Sequence, residues 1–263
     1  MLYRTQYWEW KKNMTVKLVA RALDLFEVFA HYQRPLVLSE LANYLDIPTS
    51  SCLSMVRTMV DKGYLYEVKR RGGYYPTRKL ETQAIKIHDG NQILEIIHEH
   101  LVRLQKEVGE SIVFGKIQED EVIYLDVIES NQVIRYAAQI GDLRPLHANS
   151  ISKAILAQYD DESVLEKLLN LKMTKFSEQT ISSPREFLNI LEEVRKNGFS
   201  SNLGESAEDL AAIAMPLICS GEWYGISIVG PLNRMKKLWS SHPKALSKCI
   251  EMINEELQEM GAQ

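Results

Sequence analysis

The chain has 263 residues, 45% of them apolar and 25% charged, with a net charge of −4. That length is enough for two domains, each with its own core. No apolar run reaches the roughly 18–20 residues of a membrane span, the first residues lack a secretion-signal core, and the cysteines (Cys52, Cys219, Cys249) are odd in number and far apart. The expectation is a cytoplasmic protein with reduced thiols.

Residues 1–13 read as an aromatic and polar tail, with Met14 as an alternative start. A DNA-binding domain is expected over 14–78. It opens with a helix over 16–32, where Leu18, Val19, Ala22, Leu23, Leu25, Phe26 and Phe29 recur at helical spacing. Ser39 is placed to N-cap a short helix carrying Leu41, Ala42 and Leu45. Pro48 marks a tight turn, and Thr49, Ser50 or Ser51 can cap a second helix that buries Cys52, Met55, Val56 and Met59 and stops at Gly63. Two strands then flank a basic tip, Arg70-Arg71-Gly72-Gly73. Two short helices joined by a turn are the unit that seats its second helix in a DNA major groove, and a basic hairpin adds a grip on the backbone.

Charge supports the division. Residues 1–80 hold 13 Lys+Arg against 7 Asp+Glu (net +6), and the remainder holds 18 against 28 (net −10). A basic head suits phosphates and an acidic body avoids them. The DNA-reading candidates are Thr49, Ser50, Ser51, Leu53, Ser54 and Arg57 on the second helix, with Arg70 and Arg71 at the wing tip. Hydroxyls near the helix start can meet phosphates or bases or can simply cap; Leu53 can touch a thymine methyl or pack inward.

A linker helix is expected over 79–91, broken at Asp89-Gly90-Asn91, and a body over 92–263. The body opens with an amphipathic helix over 92–108. Strands follow at 111–117, 121–129 and 133–138, then helices at 151–159, 162–171 and 184–197. A hairpin of 210–219 with 223–230 precedes a closing helix over 243–260. Strands in pairs with grouped helices give an α+β fold, an antiparallel sheet with helical cover. Enzymatic motifs are absent. His98 and His100 sit at i, i+2 and face different sides of a helix, so no metal pair is expected; Lys153 reads as a surface or interdomain residue; no phosphate-binding glycine loop or nucleophile elbow occurs. No cofactor, metal or catalytic residue is expected.

The segments Arg21–Leu25, Leu38–Ala42, Ile47–Ser51, Gly63–Leu65, Val122–Ser130, Gly141–Ala148, Ser152–Ala157, Val194–Phe199, Ile213–Pro216 and Gly225–Pro231, in this order and spacing, resemble the IclR family of transcriptional regulators. The resemblance covers nearly the whole chain. It implies a winged helix-turn-helix joined to a GAF-like effector-binding domain, operator DNA and a small-molecule effector as partners, and a homodimer or dimer of dimers. It also implies an effector pocket involving Arg135, Gly141, Leu146, His147, Ala148, Glu205, Asp209, Ala212, Ser227 and Val229, with Arg144 as a further cation to offset the two acids. The chain departs from the family pattern at Thr49, Leu53 and Ser54, where Lys, His and Arg are frequent, and at Asn149, Ser152, Asp209 and Ala212 near the pocket, so no family member's ligand carries over. Two alternatives remain: a DNA-tethered sensor that docks a protein partner, and a GAF-like enzyme.

Overall fold

The computed structural model describes residues 16–69, 72–89 and 92–260. The chain falls into two compact units that divide between residues 91 and 92.

The first unit contains α1 (Lys17–Tyr32), α2 (Leu38–Tyr44), α3 (Thr49–Asp61), β1 (Leu65–Lys69), β2 (Gly73–Pro76) and α4 (Lys79–Asp89). Its core joins Leu25 and Phe29 of α1 to Leu36, Leu41, Leu45, Cys52, Met55, Val56 and Leu65. β1 and β2 pair antiparallel, and Leu36 adds a bridge to Tyr74. Gly73 is required there, because its φ is +96° and a Cβ would sit 2.8 Å from the Leu36 carbonyl. This is a winged helix-turn-helix.

Both helix starts differ from the sequence expectation. α2 begins at Leu38, so Ser39 lies inside its first turn. Glu40 does the capping instead, accepting the Val37 N–H at 2.9 Å while pairing with Arg34 at 2.8 Å. α3 begins at Thr49 with Pro48 as its N-cap, and no hydroxyl caps it. The Pro48 carbonyl takes the first helical bond, from Cys52, which puts Thr49, Ser50 and Ser51 within the helix. Met59 is only partly buried.

The second unit opens with α5 (Gln92–Val108) and builds a six-stranded sheet from β3 (Ser111–Gln118), β4 (Glu121–Ile128), β5 (Leu143–Pro145), β6 (Ser200–Leu203), β7 (Leu210–Cys219) and β8 (Glu222–Pro231). The strand order is β5-β4-β3-β8-β7-β6, antiparallel throughout. Helices α6 (Ser150–Leu156), α7 (Asp161–Leu169), α8 (Pro184–Asn197), α9 (Leu232–Lys237) and α10 (His242–Glu259) complete it. β7 and β8 join through Ser220-Gly221, both at positive φ (50° and 75°), as a two-residue hairpin turn demands.

Alternation along the strands builds two cores. Ile112, Phe114, Ile213, Ile226 and Ile228 pack under α5 and α10. Val113, Ala212, Ala214 and Val229 face the other way and meet Ile151 and Ala154 of α6. α6 lies close to the sheet, since a Cβ on Gly225 would sit 2.8 Å from Ile151 Cγ2. The expected strand over 133–138 does not form: Val133 is 95% exposed and Ile134 71%, and β5 takes the edge beside β4 instead. β5, β6 and α9 were not expected from the sequence.

Candidate functional site

In the first unit, Thr49, Ser50, Ser51, Ser54 and Arg57 are exposed on α3, and Leu53 is half-buried. Positions 50, 54 and 57 follow the helical repeat and share one face. Two hydroxyls on this surface bond backward along the helix, Ser54 to Ser50 O (3.1 Å) and Thr58 to Ser54 O (2.9 Å), which leaves their oxygens able to accept. Arg70 and Arg71 lie outside the described residues.

In the second unit, a small cavity of about 40 Å3 lies between the sheet and α6. Val113, Ala212, Ser227 and Val229 form its floor. Strand register explains their grouping, because Ser227 pairs with Val113 on one side and Ala214 on the other, and Val229 pairs with Ala212. Tyr124 of β4, Tyr136, Arg144 and Pro145 form one wall; Ala148, Asn149, Ser150 and Ile151 form another; Asn202, Ser206 and Leu210 close it.

The polar wall is a connected network. Asn149 Nδ2 donates to Tyr124 Oη (3.3 Å), which lies 3.3 Å from Tyr136 Oη. Arg144 Nε donates to Tyr136 Oη (3.2 Å) and its other arm to Asp142 (2.7 Å). Burial, then the neighbouring Tyr136, pushes the Tyr124 phenol well above its ordinary pKa, so it stays a neutral donor. On the floor, Ser150 Oγ and Ser227 Oγ lie 3.1 Å apart. Arg144 is the one charged side chain in the lining.

Of the expected pocket residues, Ala148, Ala212, Ser227 and Val229 line this cavity, and Arg135, Gly141, Leu146, His147, Glu205 and Asp209 do not. Arg135 pairs with Glu129 at 2.9 Å on the surface. His147 is buried, its Nε2–H donating to Thr174 O at 2.9 Å, and its ring stacks on Phe176. Glu205 faces Lys153, with Nζ 2.6 and 2.8 Å from its two carboxylate oxygens. Lys153 is 0% exposed, not a surface residue, because Glu205 meets its charge inside the fold. Tyr124, Tyr136, Ser150, Asn202 and Ser206 were not singled out from the sequence. Tyr124 had a signal, sharing strand parity with the buried Val122. Tyr136 had none, since it lies in an irregular segment.

His98 and His100 meet different carboxylates, Asp126 at 2.7 Å and Glu256 at 2.8 Å. Among the described residues no cluster of three or more His, Cys, Asp or Glu could hold a metal. No helix among them is long and apolar enough to cross a membrane.

Comparison with known proteins decides the family. Residues 18–69 match the model of the IclR helix-turn-helix domain, and residues 85–255 match that of the bacterial transcriptional regulator IclR C-terminal. The chain belongs to the IclR family. It is an IclR-type transcriptional regulator, with a helix-turn-helix DNA-binding domain and an effector-binding domain. It is 27% identical over 224 residues to the transcriptional repressor IclR of Escherichia coli (strain K12), a match spanning 84% of this chain and 82% of that protein. The regulator KdgR of the same organism is 27% identical over 256 residues, 96% and 94% of the two chains. The IclR of Thermotoga maritima shares the fold with a TM-score of 0.75 at 21% identity, covering 92% of this chain and 99% of that one. An IclR homologue of Microbacterium hydrocarbonoxydans, solved with 4-hydroxybenzoate, superposes with a TM-score of 0.70 at 20% identity over 92% and 99%.

Proposed function

We propose that this IclR-type regulator senses a small organic acid in the cavity under α6, with Arg144 holding the ligand's carboxylate. The observation that carries the reading is Arg144: among the described residues it is the one ionic side chain of the lining, and although Asp142 and Tyr136 take two of its N–H groups, the rest of its guanidinium is a fork-shaped partner for a carboxylate. Tyr124 and Tyr136 supply hydroxyls beside it, Ser150 and Ser227 supply polar contacts across the floor, and Val113, Ala212 and Val229 take apolar carbon. Glu205 does not oppose an anion, because Lys153 neutralises it. A cavity of about 40 Å3 favours a short acid unless the wall opens. The 4-hydroxybenzoate on the Microbacterium homologue is consistent with a carboxylate ligand.

In this reading the protein acts in the cytoplasm, without catalysis, as a dimer or dimer of dimers on a pseudo-palindromic operator. α3 enters the major groove with Thr49, Ser50, Ser51, Leu53, Ser54 and Arg57, and Arg70 and Arg71 of the wing meet the backbone or minor groove. Effector binding shifts the population of arrangements of the paired heads. The test is a thermal-shift screen of short carboxylates against the wild type and Arg144→Met. A ligand at 100 times its Kd adds about 2.7 kcal/mol to the wild type, and that gain should vanish in the variant. Equal gains in both would remove Arg144 from the site.

A further inference from the structure

One buried ion pair joins two walls of the cavity under α6. The helix supplies Ser150 and Ile151 to the lining, and the stretch 202–210 supplies Asn202, Ser206 and Leu210. Lys153 lies one turn along α6 from Ser150, and Glu205 immediately precedes Ser206. Neither belongs to the lining, yet Lys153 Nζ donates to both carboxylate oxygens of Glu205, and both residues are buried.

The backbone of Glu205 is gripped as firmly as its side chain. Its N–H donates to Asn202 Oδ1 at 2.9 Å, and its carbonyl accepts from Thr180 Oγ1 at 2.6 Å. Ser177 Oγ donates to the Gly204 carbonyl at 2.6 Å. Asn202 in turn donates through Nδ2 to Ala148 O at 2.9 Å and to Ser206 Oγ at 3.1 Å. Asn202, Ala148 and Ser206 all line the cavity. The residue that meets Lys153 therefore also orients the amide that ties two lining groups together.

Energetics separate stability from placement. Taking two charges out of water is costly, and replacing a buried ion pair with apolar side chains of similar volume is often neutral or stabilising. Stability is thus a weak reason for this pair. Geometry is a stronger one, because a buried ammonium is accommodated only where a carboxylate meets it. That requirement gives the stretch 202–210 one position beside α6. Side chains that meet a ligand do so well only when contacts behind them fix their placement.

We propose that Lys153 is a positioning residue of the effector site, holding Asn202 and Ser206 in the cavity wall through Glu205. The proposal rests on the reading of this cavity as the effector site. Lys153 itself touches no ligand.

The test compares the wild-type full chain with Lys153→Met, Glu205→Leu, which removes both charges and keeps apolar bulk. Three quantities are measured: the melting temperature, residue-resolved amide exchange without ligand, and titration with acetate and, separately, lactate. The titrations follow the Asn202 side-chain amide signal. The melting temperature should stay close to the wild-type value. Exchange at Gly204 and Glu205 should nevertheless rise at least about tenfold, while Ile226 and Ile228 of β8 keep their wild-type rates. The affinity for the acid that binds the wild type should fall at least about tenfold. A contact serving stability alone would instead lower the melting temperature and raise exchange in both places together.

Unchanged exchange at Gly204 and Glu205, a rise shared equally with β8, or acid binding at wild-type affinity would overturn the proposal. If neither acid moves the wild-type signal, the organic-acid reading fails, and the exchange comparison alone decides the role of Lys153. Should the double variant not fold, the wild type carries the test. Its Gly204 and Glu205 amides, bonded to Leu210 O and Asn202 Oδ1, should exchange within about tenfold of those in β8. Fast exchange at either would overturn the assignment.

Discussion

At the scale of single residues, burial decides what each polar group can do. His147 is sealed in the core with one hydrogen bond, to Thr174 O, and with Nδ1 unmatched. Burial, partly offset by that bond, holds its pKa below the ordinary histidine value. The unfolded chain therefore takes up this proton first as the pH falls. Its contribution to stability is complete above the unfolded value of about 6.5 and is lost progressively as the pH drops below it towards the folded value. Burial lowers the His242 pKa in the same way. Denaturant midpoints measured from about pH 7.5 to 5 should fall, and His147→Gln should fall less steeply than the wild type. An unchanged slope would mean that His147 already binds its proton in the fold. Ala212, on the cavity floor, gives the complementary test. Ala212→Trp fills a small space at a cost of roughly 1–3 kcal/mol of overpacking. It should abolish calorimetric binding of an effector found by screening while leaving DNA affinity close to wild type. Equal effector affinity in the two proteins would locate the ligand elsewhere.

At the scale of elements, the wing and the exposed apolar side chains of the first unit are open to separate tests. Replacing Arg70 and Arg71 together with Ala should weaken DNA binding across all sequences and flatten its dependence on salt by about two counter-ions. Unchanged affinity and slope would remove the wing from the interface. Leu23 of α1 is 64% exposed and Ile87 of α4 is 76% exposed, and a lone head leaves both against water. Leu23→Lys with Ile87→Glu should shift sedimentation of the full chain towards the monomer, whereas a wild type already monomeric at micromolar concentration would refute the dimer contact. The long helices α1, α5 and α10 were legible because apolar residues recur in them at helical spacing over ten or more positions, whereas the six residues of α9 are too few to show the repeat. The β7–β8 hairpin was legible from Ser220-Gly221. The apolar run around Val133 misled, since pattern alone cannot say whether a neighbouring strand is present to pair with it. β5 and β6, at three and four residues, are too short to show a period. For the cavity, Ala212, Ser227 and Val229 came from a family resemblance, but the pairing of Lys153 with Glu205 and the Tyr136–Arg144 contact depend on three-dimensional meetings that spacing does not encode.

At the scale of the whole molecule, the division between residues 91 and 92 separates a basic reader from an acidic sensor. The second unit owns its cores and every residue lining the cavity under α6. The fragment 92–263 should therefore fold alone with a cooperative transition and bind the effector with the affinity of the full chain, within about threefold. Failure to fold would show that the head completes the body's core. One strand bears on how freely this sensor can change. Ser111, Ile112, Val113, Phe114 and Gly115 of β3 are all buried, Ile112 and Phe114 packing under the helices on one side and Val113 facing the cavity under α6 on the other. Five successive buried positions offer no neutral site. A saturation library across the body should show its lowest tolerance over these five residues. New effector specificities should therefore arise by exchange at the rim, at Tyr136, Arg144 or Ser206, and seldom by altering the strand that both sides share.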